Sequence, residues 1–201
     1  MKTAPIIVTG QGSGVKDALA LTEQIGKESG LSPKSTLHLR LLGEELFGML
    51  RGIAGEISAD YWIDYAEKAF ELHMKSAIAL TPEMKEQFLA ASSSGVNEAS
   101  RSFMGKIRVM IASALLSTKE AIPFAIINTA AAAPGGSGFD VLGGDWSMAG
   151  YKAELKKHEG DRGAKEAWDE LEKSIVASIA DDVRVKIIGN TVEIIVAKAF
   201  S

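Results

Sequence analysis

The chain has 201 residues, 46% apolar and 24% charged, with 22 basic residues against 26 acidic ones for a net charge of −4, and it contains no cysteine. That length can bury roughly 70% of the unfolded surface in one core, and the composition excludes disordered, collagen-like and coiled-coil classes. Disulfide frameworks, thiolate metal sites and cysteine nucleophiles are excluded, and the mild acidity gives no field for gathering nucleic acid. The first residues lack the basic-then-apolar layout of a signal peptide, so a cytoplasmic protein of bacterial type is expected.

Pro5 to Thr9 is a short apolar run ending at glycines, which suits a strand. Val15 to Ser29 carries Ala18, Leu21 and Ile25 at helical spacing before Gly30, and Ser32-Pro33 has the cap-plus-proline form of a second helix start. Tyr61, Ile63 and Tyr65, then Phe70, Leu72 and Met74, alternate with Asp64, Glu71, His73 and Lys75, which predicts two half-buried strands joined around Glu67-Lys68. Thr81-Pro82 starts a helix that Ser92-Ser93-Ser94-Gly95 breaks, and Val96 to Ser117 resumes with Phe103, Ile107, Met110 and Ile111 on one face.

Ala121 to Phe139 is nineteen residues without a charge. Its apolar part, interrupted by Pro123 and Asn128, is about thirteen residues, short of the roughly twenty a bilayer requires. It reads as a buried or surface-hugging connection, with a partner-docking segment as the alternative. Met148 to Glu159 and Ala164 to Ala180 are predicted helices, the second with Trp168, Leu171, Ile175 and Ile179 as its stripe. Val183, Val185 and Ile187, a Gly189-Asn190 turn, and Val192, Ile194 and Val196 form a closing hairpin by pattern. This order predicts an α/β two-layer sandwich, one mixed and mostly antiparallel sheet with helices on one face. The expected organisation is a single domain over residues 1–201 with an insertion at 117–163.

Ser35 to Ala54 contains the one misplaced charge. At about 100° per residue, Arg40, Glu44 and Arg51 share a solvated face with an i,i+4 pair, whereas Glu45 points about 100° from Glu44, between Leu41 on one side and Leu42 and Met49 on the other. A carboxylate on an apolar side is costly unless bonded or neutralised. Glu45 therefore either lines a cleft as an acid or base, or sits at the stripe's edge with its carboxylate snorkelling or bonded to His38 or a backbone group. Other motifs fail on chemistry. Val8 to Lys16 is Gly-rich between a strand and a helix but places Val15 and Asp17 where a dinucleotide fingerprint or a P-loop needs other residues. His38, His73 and His158 lie on different elements without ligand spacing, and no serine sits in a Gly-x-Ser-x-Gly elbow.

The segment LHLRLLGEELFGML, preceded by a strand and a helix and followed by two strands, resembles the N-box helix of the GHKL (Bergerat-fold) ATPases, nearest to the anti-sigma-factor serine kinases. The resemblance implies ATP and Mg²⁺ as cofactors, Glu45 as the catalytic general base, and a lid at the start of a helix that would hold phosphate through Ser94, Gly95, Asn97 and Arg101. Two departures stand out. Met49 occupies the place of the asparagine that holds Mg²⁺ in the family, and a thioether does not replace a hard oxygen ligand. The adenine motif Asp-x-Gly-x-Gly corresponds to Ala77 to Glu83, which has neither its aspartate nor its glycines. The resemblance thus implies an ATP-binding or regulatory domain with weakened or lost nucleotide chemistry and no metal ligands of its own, acting through a protein partner or homodimer rather than nucleic acid or membrane. The alternative is a non-enzymatic partner-binding or structural protein that uses the uncharged 121–139 segment.

Overall fold

A computed structural model of the chain describes residues 1–51, 57–78 and 145–201, together with Phe103, Ile107 and Ile111. Its elements are β1 (Ile6–Thr9), α1 (Val15–Glu28), α2 (Pro33–Arg51), β2 (Ser58–Ala66), β3 (Ala69–Ala77), β4 (Asp145–Ser147), α3 (Met148–Lys157), α4 (Arg162–Glu172), α5 (Ile175–Ile179), β5 (Asp182–Ile188) and β6 (Thr191–Ala199). The strands form one six-stranded antiparallel sheet in the order β1-β2-β3-β6-β5-β4, and the α/β two-layer class expected from the sequence is the one observed.

Local chemistry explains the first elements. Gly14 caps α1 in the left-handed region at φ +73°, and a Cβ there would strike the Ile7 carbonyl, so the β1-to-α1 turn tolerates only glycine. The helix ends in a Schellman motif, in which Leu31 N–H donates to the Gly26 carbonyl and Gly30 N–H to that of Lys27. α2 then starts as its sequence indicates: Ser32 Oγ accepts from the Ser35 N–H at 3.1 Å, with Pro33 in the first turn. The predicted Arg40–Glu44 pair forms at 3.1 Å.

Antiparallel register places Ile6 against Tyr61, Val8 against Ala59, Tyr61 against Met74 and Ile63 against Leu72. Alternation then sends Ala59, Tyr61, Ile63, Leu72 and Met74 to the buried face, beneath α1 and α2. The two helices approach closely where side chains are smallest. A Cβ on Gly43 would lie 3.3 Å from Leu19 and 3.8 Å from the Tyr61 hydroxyl, so this glycine makes room for the α1–α2–β2 junction. There Tyr61 bonds Thr22 at 2.7 Å, and the Thr22 hydroxyl donates to the Ala18 carbonyl. Burial pushes the Tyr61 phenol well above its ordinary range, with the Thr22 hydrogen bond acting weakly the other way.

The chain divides by contact density into two compact units. One comprises Met1–Ala77, Ile175–Val183 and Glu193–Ser201, the other Ile78–Ser174 and Arg184–Val192. In the first, Leu39, Leu42, Leu46, Phe47 and Met49 of α2 fill the core between helices and sheet. In the second, α3 and α4 pack through Leu155, Ala164 and Ala167, flanked by Tyr151 and Trp168, while Phe103, Trp146 and Tyr151 form an aromatic triad with centroids 6.0–6.5 Å apart. Phe103, Ile107 and Ile111 are helical and buried, as their spacing predicts.

Two expectations are corrected. The single helix expected over Ala164 to Ala180 is broken: Ser174 N–H turns back to the Leu171 carbonyl three residues earlier, ending α4, and α5 begins at Ile175. Val176 is buried, and Ile175, expected in the stripe, is 47% exposed. Asp145–Ser147, not expected as a strand, pairs with Arg184 to Lys186 of β5. The uncharged run Ala121 to Phe139, and the part of the expected insertion before Asp145, lie outside the described residues.

Candidate functional site

The wheel argument on α2 is met in part. Leu42, Leu46, Phe47 and Met49 are fully buried, Glu44 is exposed, and Glu45 is half-buried at the edge of the apolar stripe. Its carboxylate makes no hydrogen bond or ion pair among the described residues, and no bond joins it to His38. Met49, one turn on, is 0% exposed. The two positions that hold base and metal in the resembled helix therefore face different surroundings, one reaching solvent and one sunk in the core. A buried thioether offers no hard oxygen to Mg²⁺, so this helix does not fit the metal. Ser94, Gly95, Asn97 and Arg101 lie outside the described residues.

His38 borders a shallow cleft of about 300 Å³ between α2, α5 and the end of the chain, with Ser178, Lys198 and Phe200 among its lining residues. Glu45 is not part of that lining. Lys198 is held by Asp181 at 2.8 Å, and Asp181 also accepts the Ala199 N–H at 2.7 Å. Partial burial pushes the Asp181 carboxyl up, but the Lys198 and Ala199 hydrogen bonds outweigh it and hold the group below the usual carboxylate range. The cleft's cation is thus already paired. His158, the third histidine, lies on the surface between Glu154 at 3.2 Å and Asp161 at 3.7 Å.

Among the described residues, the densest set of ionisable groups surrounds His73, a histidine whose sequence neighbours offer no ligand spacing. On the face of β2–β3 turned away from α1 and α2, His73 is only 7% exposed and stacks on Trp62 with centroids 4.7 Å apart and rings 10° from parallel. Its Nδ1 lies 3.0 Å from Glu193 Oε1 on β6, and its Nε2 lies 3.3 Å from Asp64 Oδ2 on β2 and 3.5 Å from Glu71 Oε2 on β3. Trp62 Nε1 donates to Asp64 at 3.0 Å, and Lys2 Nζ sits 4.5 Å from the centroid of the same indole. Alternation in β2 and β3 could have placed Asp64, Glu71 and His73 on one face. Glu193, which is 120 residues from His73, could not have been placed from the sequence.

Among the described residues no group of three histidine, aspartate or glutamate side chains is arranged to hold a metal ion, and no helix is long and apolar enough to cross a membrane. No protein-family model, curated protein or solved structure matches this chain.

Proposed function

We propose that this protein is a GHKL-like regulatory or binding domain, related to the anti-sigma-factor kinase type, that has lost metal-dependent nucleotide chemistry. The observation that carries the reading is the complete burial of Met49 one turn from a partly exposed Glu45. The element order β1-α1-α2-β2-β3, with α2 packed on the antiparallel sheet, supports the same kinship. Glu45 keeps the place of the family's base, but the position that would hold the cation has been converted into core. Without a metal to neutralise charge on a transferring phosphoryl group, a carboxylate alone supplies little of the stabilisation that phosphoryl transfer requires. The residues of α2 then serve to hold a surface, and signalling is carried by a protein partner or a second copy of the chain.

Phosphate release from ATP with Mg²⁺ tests this reading. Wild type and Glu45→Gln are expected to give the same background rate. Turnover by the wild type that Glu45→Gln abolishes would overturn it.

A further inference from the structure

The outer edge of β2 is closed by two different pieces of chain. Ile6–Thr9 of β1 covers Ser58 to Tyr61, and residues 1–3 cover Ile63 to Tyr65. Along the second piece Thr3 N–H donates to the Ile63 carbonyl at 3.0 Å and Tyr65 N–H donates to the Met1 carbonyl at 2.8 Å, which sets Lys2 opposite Asp64. From Lys2 to Ile6 the outer chain takes four steps while β2 takes three from Asp64 to Tyr61, so one residue bulges between the two pieces, where Pro5 has no N–H to donate. The Ile63 N–H has the Thr3 side-chain oxygen as its acceptor, at 3.0 Å, in place of a backbone carbonyl. Residues 1–3 thus form a short ladder of their own, separable from β1.

We propose that residues 1–3 are a displaceable latch over a strand-addition site, and that the site takes an extended segment of a protein partner carrying a lysine or arginine opposite Asp64. The latch itself displays the chemistry that is recognised. Side chains opposite one another in an antiparallel pair, and their diagonal neighbours, lie on one face, and from its place opposite Asp64 Lys2 holds its ammonium 4.5 Å from the centroid of the Trp62 ring. That ring is a prepared platform: its Nε1 donates to Asp64 at 3.0 Å, and His73 stacks on it with centroids 4.7 Å apart. A cation over an indole gains from the negative face of the ring, and the Asp64 side chain, 38% exposed, supplies the opposite charge. Opening the latch frees the Ile63 N–H and carbonyl and the Tyr65 N–H, the groups with which an added strand pairs. A partner strand without the bulge offers Ile63 a backbone carbonyl, which the latch does not. The site lies on β2 and shares no residue with α2, so it stands independently of the reading of that helix.

Hydrogen exchange of the full chain, read amide by amide by NMR, tests the latch. The Ile63 and Tyr65 amides are expected to exchange at least about tenfold faster than those of Trp62 and Asp64, which alternate toward β3, and faster still in Lys2→Ala. Equal protection of the two sets would overturn the proposal. Binding is read from the Ile63 and Tyr65 amides and the Trp62 indole N–H on adding the capped tetrapeptide Met-Lys-Thr-Ala, with Met-Glu-Thr-Ala as the control. The lysine peptide is expected to bind Lys2→Ala about tenfold more tightly than wild type, whose site is mostly latched, and the glutamate peptide to bind neither. No response to the lysine peptide, or the same response to both, would overturn the partner chemistry. A wild-type dimer that Lys2→Ala dissociates would assign the site to a second copy of the chain and overturn it too.

Discussion

On one side of the β2–β3 ladder, Tyr61, Ile63, Leu72 and Met74 are buried against α1 and α2. On the other, Trp62, Asp64, Glu71 and His73 form a charged cluster. Residues one position apart in the chain thus answer to different forces. The helix side gains about 1.5–3 kcal/mol for each large apolar side chain it removes from water, and that gain does not depend on protons. The opposite side gains only if its charges balance, because a buried ionisable group without compensation costs more than packing returns. One face is thus held by packing and the other by the matching of polar partners.

Substitutions on the two faces separate these forces. The largest effect should come from Ile63→Ala, which leaves a void in a fully buried position and should lower unfolding free energy by about 2–5 kcal/mol. Urea unfolding should give the same loss at about pH 6 and about pH 8, where a histidine changes charge and an apolar contact does not. A loss that varied between the two would show that the faces are coupled. Tyr61→Phe should cost about 1 kcal/mol, since the Thr22 oxygen loses its donor while the Thr22 hydroxyl keeps its bond to Ala18. Thr36→Val should go the other way by about 1 kcal/mol, because the Thr36 hydroxyl is buried with no partner and valine has the same shape. A loss of stability from that replacement would mean that the hydroxyl is satisfied.

The smallest effect is expected at Asp181. Its carboxyl is held low, so it contributes stability above the ordinary aspartate range and loses that contribution as the pH falls through its own lowered value. Asp181→Asn should therefore weaken the fold slightly at neutral pH and be indistinguishable from wild type in strong acid. An acid unfolding curve of the two chains would show the difference closing.

Legibility of the fold in the sequence followed the range of the forces involved. The α1 and α2 starts and the β2–β3 and β5–β6 turns were readable because Ser32-Pro33, the alternation around Glu67-Lys68 and Gly189-Asn190 act within a few residues. Asp145–Ser147 was not, since three residues become a strand only by pairing with β5, some forty positions away. The break at Ser174 was also hidden, because Trp168, Leu171, Ile175 and Ile179 keep a helical period that the chain does not obey. At the candidate sites, the wheel located Glu45 at the edge of a buried stripe. It could not say that Met49 would be wholly enclosed, which depends on the sheet beneath α2. The His73 cluster was half visible as a shared strand face and became a cluster only through Glu193 on a neighbouring strand.

Calorimetric titration of ATP with and without Mg²⁺ decides the proposed loss of metal-dependent nucleotide chemistry, which is drawn from the complete burial of Met49. Adding Mg²⁺ is expected to create no ATP binding and to tighten none that metal-free ATP already shows. ATP binding that appears or tightens only with Mg²⁺, and that Glu45→Gln weakens, would contradict it.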